Sequence, residues 1–183
     1  MTGEPGNDAL MREMRFMEKV KIGGIMQSDG RSLVKIMSVP DHVGVAGTVL
    51  SAMGKHHVNI EMLVESFDLD DCGNFALVID QKDLDEALMI LEELKPATHA
   101  KAVSYVPDVA VITVFAPHLR EKPFVHGAMF SSLAAVGIKT LTLCTSISSI
   151  SCVVEGQYMA MAVGSLEEVF MTPSQVKERP KDY

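Results

Sequence analysis

Residues 40–53 read PDHVGVAGTVLSAM, and residues 58–66 follow as VNIEMLVES. Pro40 and Gly44 interrupt regular structure. Val45, Val49, Ala52, Met53 and His56 then fall on one stripe at helical spacing. From residue 58 the period changes to two. Ile60, Met62 and Val64 face one way, and Asn59, Glu61 and Glu65 the other, as in a half-buried strand. Upstream, Leu33 to Val39 is an apolar run of strand length. Downstream, Asp68, Asp70, Asp71 and Gly73 make a polar hairpin tip, and Phe75, Leu77 and Ile79 alternate as a third strand. Asp83 is placed to cap a second helix with Leu84, Ala87, Leu88, Leu91 and Leu94 on one face; Pro96 ends it, and residues 98–106 form a fourth strand. The order βαββαβ is the ferredoxin-like arrangement, an α+β fold with two helices on one face of four strands.

The same order recurs further along. Val109 to Phe115 reads as a strand, Val125, Met129, Leu133 and Val136 mark a helix, and Ile138–Cys144 and Ile147–Val154 read as strands. Tyr158, Met161, Ala162, Ser165, Leu166 and Val169 mark a second helix. Gly44 aligns with Phe124 and Asn59 with Lys139 at one constant offset, and such a repeat outweighs any single motif. This second copy lacks a last strand, because residues 171–183 are polar and interrupted by Pro173 and Pro180. The spare apolar segment Lys19 to Met26 is the economical replacement, with residues 27–31 (QSDGR) as the connecting turn. The expected organisation is an extension over 1–18, a first domain over 30–107, a second built from 19–29 plus 108–170, and a tail over 171–183. The first domain is thus inserted into the second. Leu10, Met11, Met14 and Met17 give the segment Asn7 to Lys19 a helical stripe.

Composition narrows the function. The 183 residues are 48% hydrophobic and 22% charged, enough for a buried core. A formal charge of -8 repels phosphate backbones and anionic lipid, so neither nucleic acid nor a membrane is an expected partner. There is no basic, apolar secretory start and no run long enough to span a bilayer. Cys72, Cys144 and Cys152 are too few for a disulfide framework and suit a reducing cytoplasm. Met numbers 13 and Trp is absent; Met reads first as core filler.

The residues quoted above carry a resemblance. PDHVGVAGTVLSAM, VNIEMLVES and the DLDEALMILEEL helix, with AVITVF, PFVHGAMFSSLAAVGI and TSISSISCVVE in the second copy, are similar to the paired ACT domains at the regulatory end of bacterial aspartokinases. The resemblance covers about residues 20 to 170. It implies an amino-acid effector such as lysine or threonine, held where the first helix of one ACT unit meets a neighbouring ACT unit. Carried onto this chain, the ligand-binding residues are Asp41, His42, Val43, Gly44, Val45, Ala46, Asn59, Ile60 and Glu65. The chemistry fits a zwitterion. A helix start offers unpaired N–H groups to the carboxylate, Gly44 permits close backbone approach, and Asp41, Asn59 and Glu65 offer acceptors to the ammonium group. The family usually has Pro at Val43 and Gln at Glu65, and a carboxylate at position 65 favours a cationic ligand. In the second copy Phe124, Lys139 and Leu141 replace the expected residues, and the Pro117–Pro123 loop is two residues longer, so its pocket is expected to be reduced or closed. Ser146, Ile147 and Ser148 form an edge expected to face the first unit of another chain.

No catalytic, metal or cofactor site is expected. There is no Gly-rich phosphate loop with a partnering Lys. His56 and His57 are adjacent and cannot chelate together on a helix, and His42, His99, His118 and His126 are scattered. Cys144 and Cys152, on neighbouring strands, read as small buried hydrophobes. Glu92/Glu93 and Glu167/Glu168 read as solvated helix faces, and the Asp68–Asp71 run lacks a calcium-loop ladder. Three readings remain: a homodimeric amino-acid sensor, a regulatory subunit bound to a catalytic aspartokinase chain, and a ligand-free dimerisation module.

Overall fold

The computed structural model describes residues 19–40, 43–117, 119–173 and the backbone of 177–178. The expected helix over Asn7 to Lys19 lies outside the described residues, apart from Lys19 itself. The chain divides into two compact units. Gly30–Val109 is the first, and the residues up to Asp29 together with those from Ala110 onward are the second.

The first unit begins with the later part of strand β2 (Gly24–Pro40). Helix α1 (Val45–Lys55), strands β3 (Ile60–Phe67) and β4 (Cys72–Asp80), helix α2 (Leu84–Thr98) and the first part of strand β5 (Ala102–Phe115) follow. The sheet order is β3-β4-β2-β5, with β4 antiparallel to both β2 and β3. One core lies between this sheet and its two helices. Val34, Ile36, Phe75, Leu77 and Ile79 come from the strands, Val45, Val49 and Met53 from α1, and Ala87, Ile90 and Leu91 from α2. Alternate strand positions face the helices because successive Cβ atoms point to opposite faces.

The second unit repeats the plan. The later part of β5 is its first strand. Helix α3 (Phe124–Ala135), strands β6 (Thr142–Thr145) and β7 (Ser149–Glu155) and helix α4 (Met159–Val169) follow. The early part of β2 supplies the last place in the order β6-β7-β5-β2. Short strands β1 (Val20–Lys21) and β8 (Phe170–Met171) pair in parallel as a separate two-stranded sheet. Ile25, Ala110, Ile112, Val114, Ile150, Cys152, Val154, Val125, Met129, Leu133, Ala162 and Leu166 form its separate core. The fold class is therefore tandem ferredoxin-like, with one unit inserted in the other.

Several elements differ from the sequence expectation, each for a physical reason. Residues 27–31 are not a turn but run inside the 17-residue β2. Arg31 finds partners across the sheet, its Nε donating to Glu61 at 2.6 Å and its Nη1 to Asp80 at 3.3 Å, while Gly30 absorbs a φ of 62°. Likewise 98–106 and 109–115 are not separate strands, since 102–115 is one. Pro96 sits inside the last turn of α2 instead of ending it; there it forfeits a single helical bond, and His99 closes the helix at φ 54°. Asp83 makes no cap bond; Asp80 instead accepts from Lys82 N at 3.0 Å at the start of a single 3₁₀ turn. In the second unit β6 starts at Thr142, because Gly137 (φ 75°) turns the chain and Ile138 is spent as a buried anchor. The tail also contributes a two-residue strand, β9 (Lys177–Glu178), parallel to Met26–Gln27.

Candidate functional site

Among the described residues, no side chain caps the first backbone N–H groups of α1. Gly44 precedes the helix at φ 99°, a left-handed conformation that costs an L residue about 1–2 kcal/mol. A Cβ there would meet nothing within 4 Å, so the angle and not the space requires glycine. Gly44 has no side chain to cap the first turn, and no acidic residue stands in that turn. N–H groups in such a place attract an anion. Thr48 closes the turn from below, giving both its N–H (2.9 Å) and its Oγ1 (3.0 Å) to the Gly44 carbonyl. Val43 is fully exposed, Val45 is buried and Ala46 half-buried. Asp41 and His42 lie outside the described residues.

The remaining site residues do not all gather there. Gly73 of β4 is level with both Val39 and Phe67, at the end where β2 leads into α1. Ile79 is level with Ser32 and Ile60, at the other end. The two levels are roughly 20 Å apart along the strand. Asn59 and Ile60 therefore stand at the far end of α1, not beside its start as the sequence suggested. Glu65, opposite Phe75 and exposed, is on the helix-start side of the sheet. Within one unit Glu65 is at the end of the sheet where α1 starts, and Asn59 and Ile60 are at the other end.

The repeat makes this placement more exact. Met53 O accepts from Val58 N, and Leu133 O from Ile138 N, both at 3.0 Å. His57 (φ 59°) and Gly137 (φ 75°) turn the chain at matching places. The pair Glu65–Phe75 corresponds to Thr145–Ile150. By the same correspondence Ala46 matches His126. In the second unit His126 Nε2 and Thr145 Oγ1 are 3.0 Å apart and hydrogen-bonded. Phe124, expected to fill the helix entrance, is instead 51% exposed. The group spanning the gap between helix start and strand is His126.

The hairpin ends differ too. Asp68 Oδ1 accepts from Asp70 N and Cys72 N, both at 2.9 Å, and the bond from Cys72 above all holds the Asp68 carboxyl below its ordinary range. The corresponding turn in the second unit is shorter. Ser146 Oγ accepts from Ser149 N at 3.0 Å, Ser146 N donates to Ser149 O at 2.8 Å, and Ser148 O accepts from Ala116 N at 2.8 Å. These bonds hold Ile147 at the tip, 80% exposed. Cys152 lies opposite Leu143 and Cys144 opposite Ser151, so the two thiols point to opposite faces of the sheet. Burial pushes the Cys152 thiol up to about 12. Among the described residues no group of three or more His, Cys, Asp or Glu is placed to hold a metal ion, and no helix is long and apolar enough to cross a membrane.

Sequence reasoning missed His126 and Thr145 as a pair, and Arg31 with Glu61 and Asp80. Neither set follows a period, and only strand register joins them.

Two ferredoxin-like units, the first inserted in the sequence of the second, define the class as a tandem ACT-type pair. The chain matches the ACT-type regulatory part of bacterial aspartokinases in sequence and in fold, and not their catalytic domain. It is 26% identical over 166 residues to an aspartate kinase of Stutzerimonas stutzeri, covering 91% of this chain and 40% of that protein. It is 25% identical over 162 residues to aspartokinase 2 of Bacillus subtilis, covering 88% and 40%. The chain thus spans about two fifths of the curated relatives it matches. In fold it is similar to the regulatory subunit of aspartate kinase from Thermus flavus, with a TM-score of 0.75, 21% identity, and 82% of this chain and 99% of that one covered. It is also similar to the aspartate kinase of Synechocystis, with a TM-score of 0.71, 21% identity, and 85% and 28% covered. No family model matches the chain.

Proposed function

We propose that this ACT-type regulatory module binds a free amino acid at the start of α1, with lysine as the first candidate and threonine as the second. The observation that carries the reading is the helix start at Gly44, which no described side chain caps, at the same end of the sheet as the exposed carboxylate of Glu65. The first-turn N–H groups take the ligand carboxylate, and Glu65 takes a positive charge, either the α-ammonium or a cationic side chain. Val43 and Ala46 flank the approach, while Val45 offers its backbone and turns its side chain into the core. Asp41 and His42 belong to the same loop in sequence. Asn59 and Ile60 are too far along the sheet to join from the same unit, which supports a site shared between ACT units of two copies. The Ser146–Ile147–Ser148 turn is the edge proposed to meet the partner. A homodimer follows from this arrangement, since the edge strands β3 and β6 also invite pairing.

A second reading rests on a separate observation: the match to the Thermus flavus regulatory subunit covers nearly all of that chain. On that reading the module serves a separate catalytic chain, and the amino acid biases the complex. Both readings place the protein in the cytoplasm and require neither cofactor nor metal.

The test is a melting-temperature titration with the common amino acids. A ligand that binds only the folded state, at a hundredfold excess over its Kd, adds about 2.7 kcal/mol of stability. Lysine is expected to raise the melting temperature, and Glu65→Gln to remove most of the preference for lysine over threonine. If no amino acid shifts the melt, the sensor reading fails and a ligand-free interaction module remains.

A further inference from the structure

The two units share one plan, yet among the described residues only the second has a side-chain bond from its first helix to the facing strand at this level. The matched pairs are Ala46 with Glu65 in the first unit and His126 with Thr145 in the second. The correspondence is fixed on both sides of the gap. On the helix side, Val45, Val49 and Met53 are buried where Val125, Met129 and Leu133 are buried. On the strand side, the Glu65–Phe75 and Thr145–Ile150 pairings match. Ala46 ends at its Cβ and Glu65 is exposed, so nothing of their own bridges the space between them. His126 carries a ring across the equivalent space and bonds to Thr145 at 3.0 Å.

We infer that His126 and Thr145 form a built-in plug, which makes the second unit a closed counterpart of the effector site and sets the capacity of the chain at one amino acid per copy. This rests on the function proposed above and adds its stoichiometry and the residues that set it. Two features close the second unit at once. The imidazole lies across the path from helix start to strand, and Thr145 offers a neutral hydroxyl, already bonded, where the first unit presents a carboxylate. A bound amino acid would have to break that bond and would find no anionic partner for its ammonium group.

The plug can be transplanted. Equilibrium dialysis of radiolabelled lysine against the full chain, with threonine in parallel, is expected to saturate at one equivalent per chain. The double substitution Ala46→His with Glu65→Thr builds the plug in the first unit. It is expected to weaken lysine binding by about a hundredfold or more while leaving the ligand-free melting temperature within the range of a surface change. A second control, Glu65→Thr alone, removes the charge without the ring; it is expected to retain more binding than the double variant. Saturation at two equivalents in the wild type overturns the plug. So does a double variant that binds as well as the wild type, or no better-retained binding in the single variant. Absence of binding of either amino acid to the wild type overturns the underlying reading instead, and is distinguishable because no stoichiometry is then measured.

Discussion

The inserted unit and the unit that encloses it in sequence solve the same folding problem with different residues. At buried positions the exchanges are conservative. Leu91 of α2 matches Leu166 of α4, Ala87 matches Ala162, and Leu77 matches Cys152, all buried. At the helix entrance and the strand ends the exchanges change chemistry: Gly44 matches Phe124, Ala46 matches His126, and Glu65 matches Thr145. A repeat keeps its core because both copies must exclude water from the same shape. Its rim is free to diverge, so divergence there marks what each copy does. By this comparison the first unit presents an exposed carboxylate, Glu65, at a level where the second carries a bond between His126 and Thr145.

The comparison is exposed to test first in the cores. Leu91→Ala and Leu166→Ala each remove a side chain that is at most 2% exposed, and each is expected to cost about 2–5 kcal/mol by urea denaturation. The two costs are expected to agree to within about 1 kcal/mol; a near-neutral result in either unit would break the structural equivalence. Next comes a feature without a counterpart. Arg31 bonds Glu61 and Asp80 in the first unit, and the Glu61 side chain is only 10% exposed. Arg31→Ala is expected to cost about 1–3 kcal/mol, an effect that 0.5 M salt reduces only in part because the pair is half-buried.

The next effect is a pH dependence. Burial, with a smaller contribution from Cys144, raises the Cys152 thiol from 9.0 to about 12. The unfolded thiol ionises from about pH 9 while the folded one stays neutral, so the unfolded state holds fewer protons and stability falls as pH rises between those values. The wild type is expected to lose about 1 kcal/mol more than Cys152→Ala between pH 9 and pH 10, measured as denaturation midpoints at the two values. The smallest effect is at the helix ends. His57 and Gly137 hold the same left-handed turn. Gly137→Ala is expected to lose about 1 kcal/mol and His57→Gly to gain somewhat less; equal signs would contradict the matched backbone.

Much of this fold is legible in the sequence because it is periodic. The stripe Val45, Val49, Met53 and the alternation Phe75, Leu77, Ile79 each declare a buried face, and their recurrence declares the repeat. What period cannot declare is misread. The polar stretch 27–31 looks like a turn, yet it is strand because Arg31 finds its carboxylates across the sheet. Pro96 looks like a stop, yet it falls where a helix has few bonds left to lose. The helix entrance at Gly44 is legible from its glycine. The displacement of Asn59 to the opposite end of the sheet is not, because it depends on how β3 registers against β4. The bond between His126 and Thr145 joins residues 19 apart that carry no shared signal.

The central claim is that an amino acid is held at the entrance of one unit and not at the equivalent entrance of the other. Amide chemical-shift mapping during a lysine titration tests it most directly. The account predicts shifts at residues 43–46 and 63–67 that saturate together, with residues 124–126 and 143–145 unmoved apart from any that meet the partner copy. Saturable shifts centred on His126 and Thr145, with Gly44 and Glu65 silent, would contradict it.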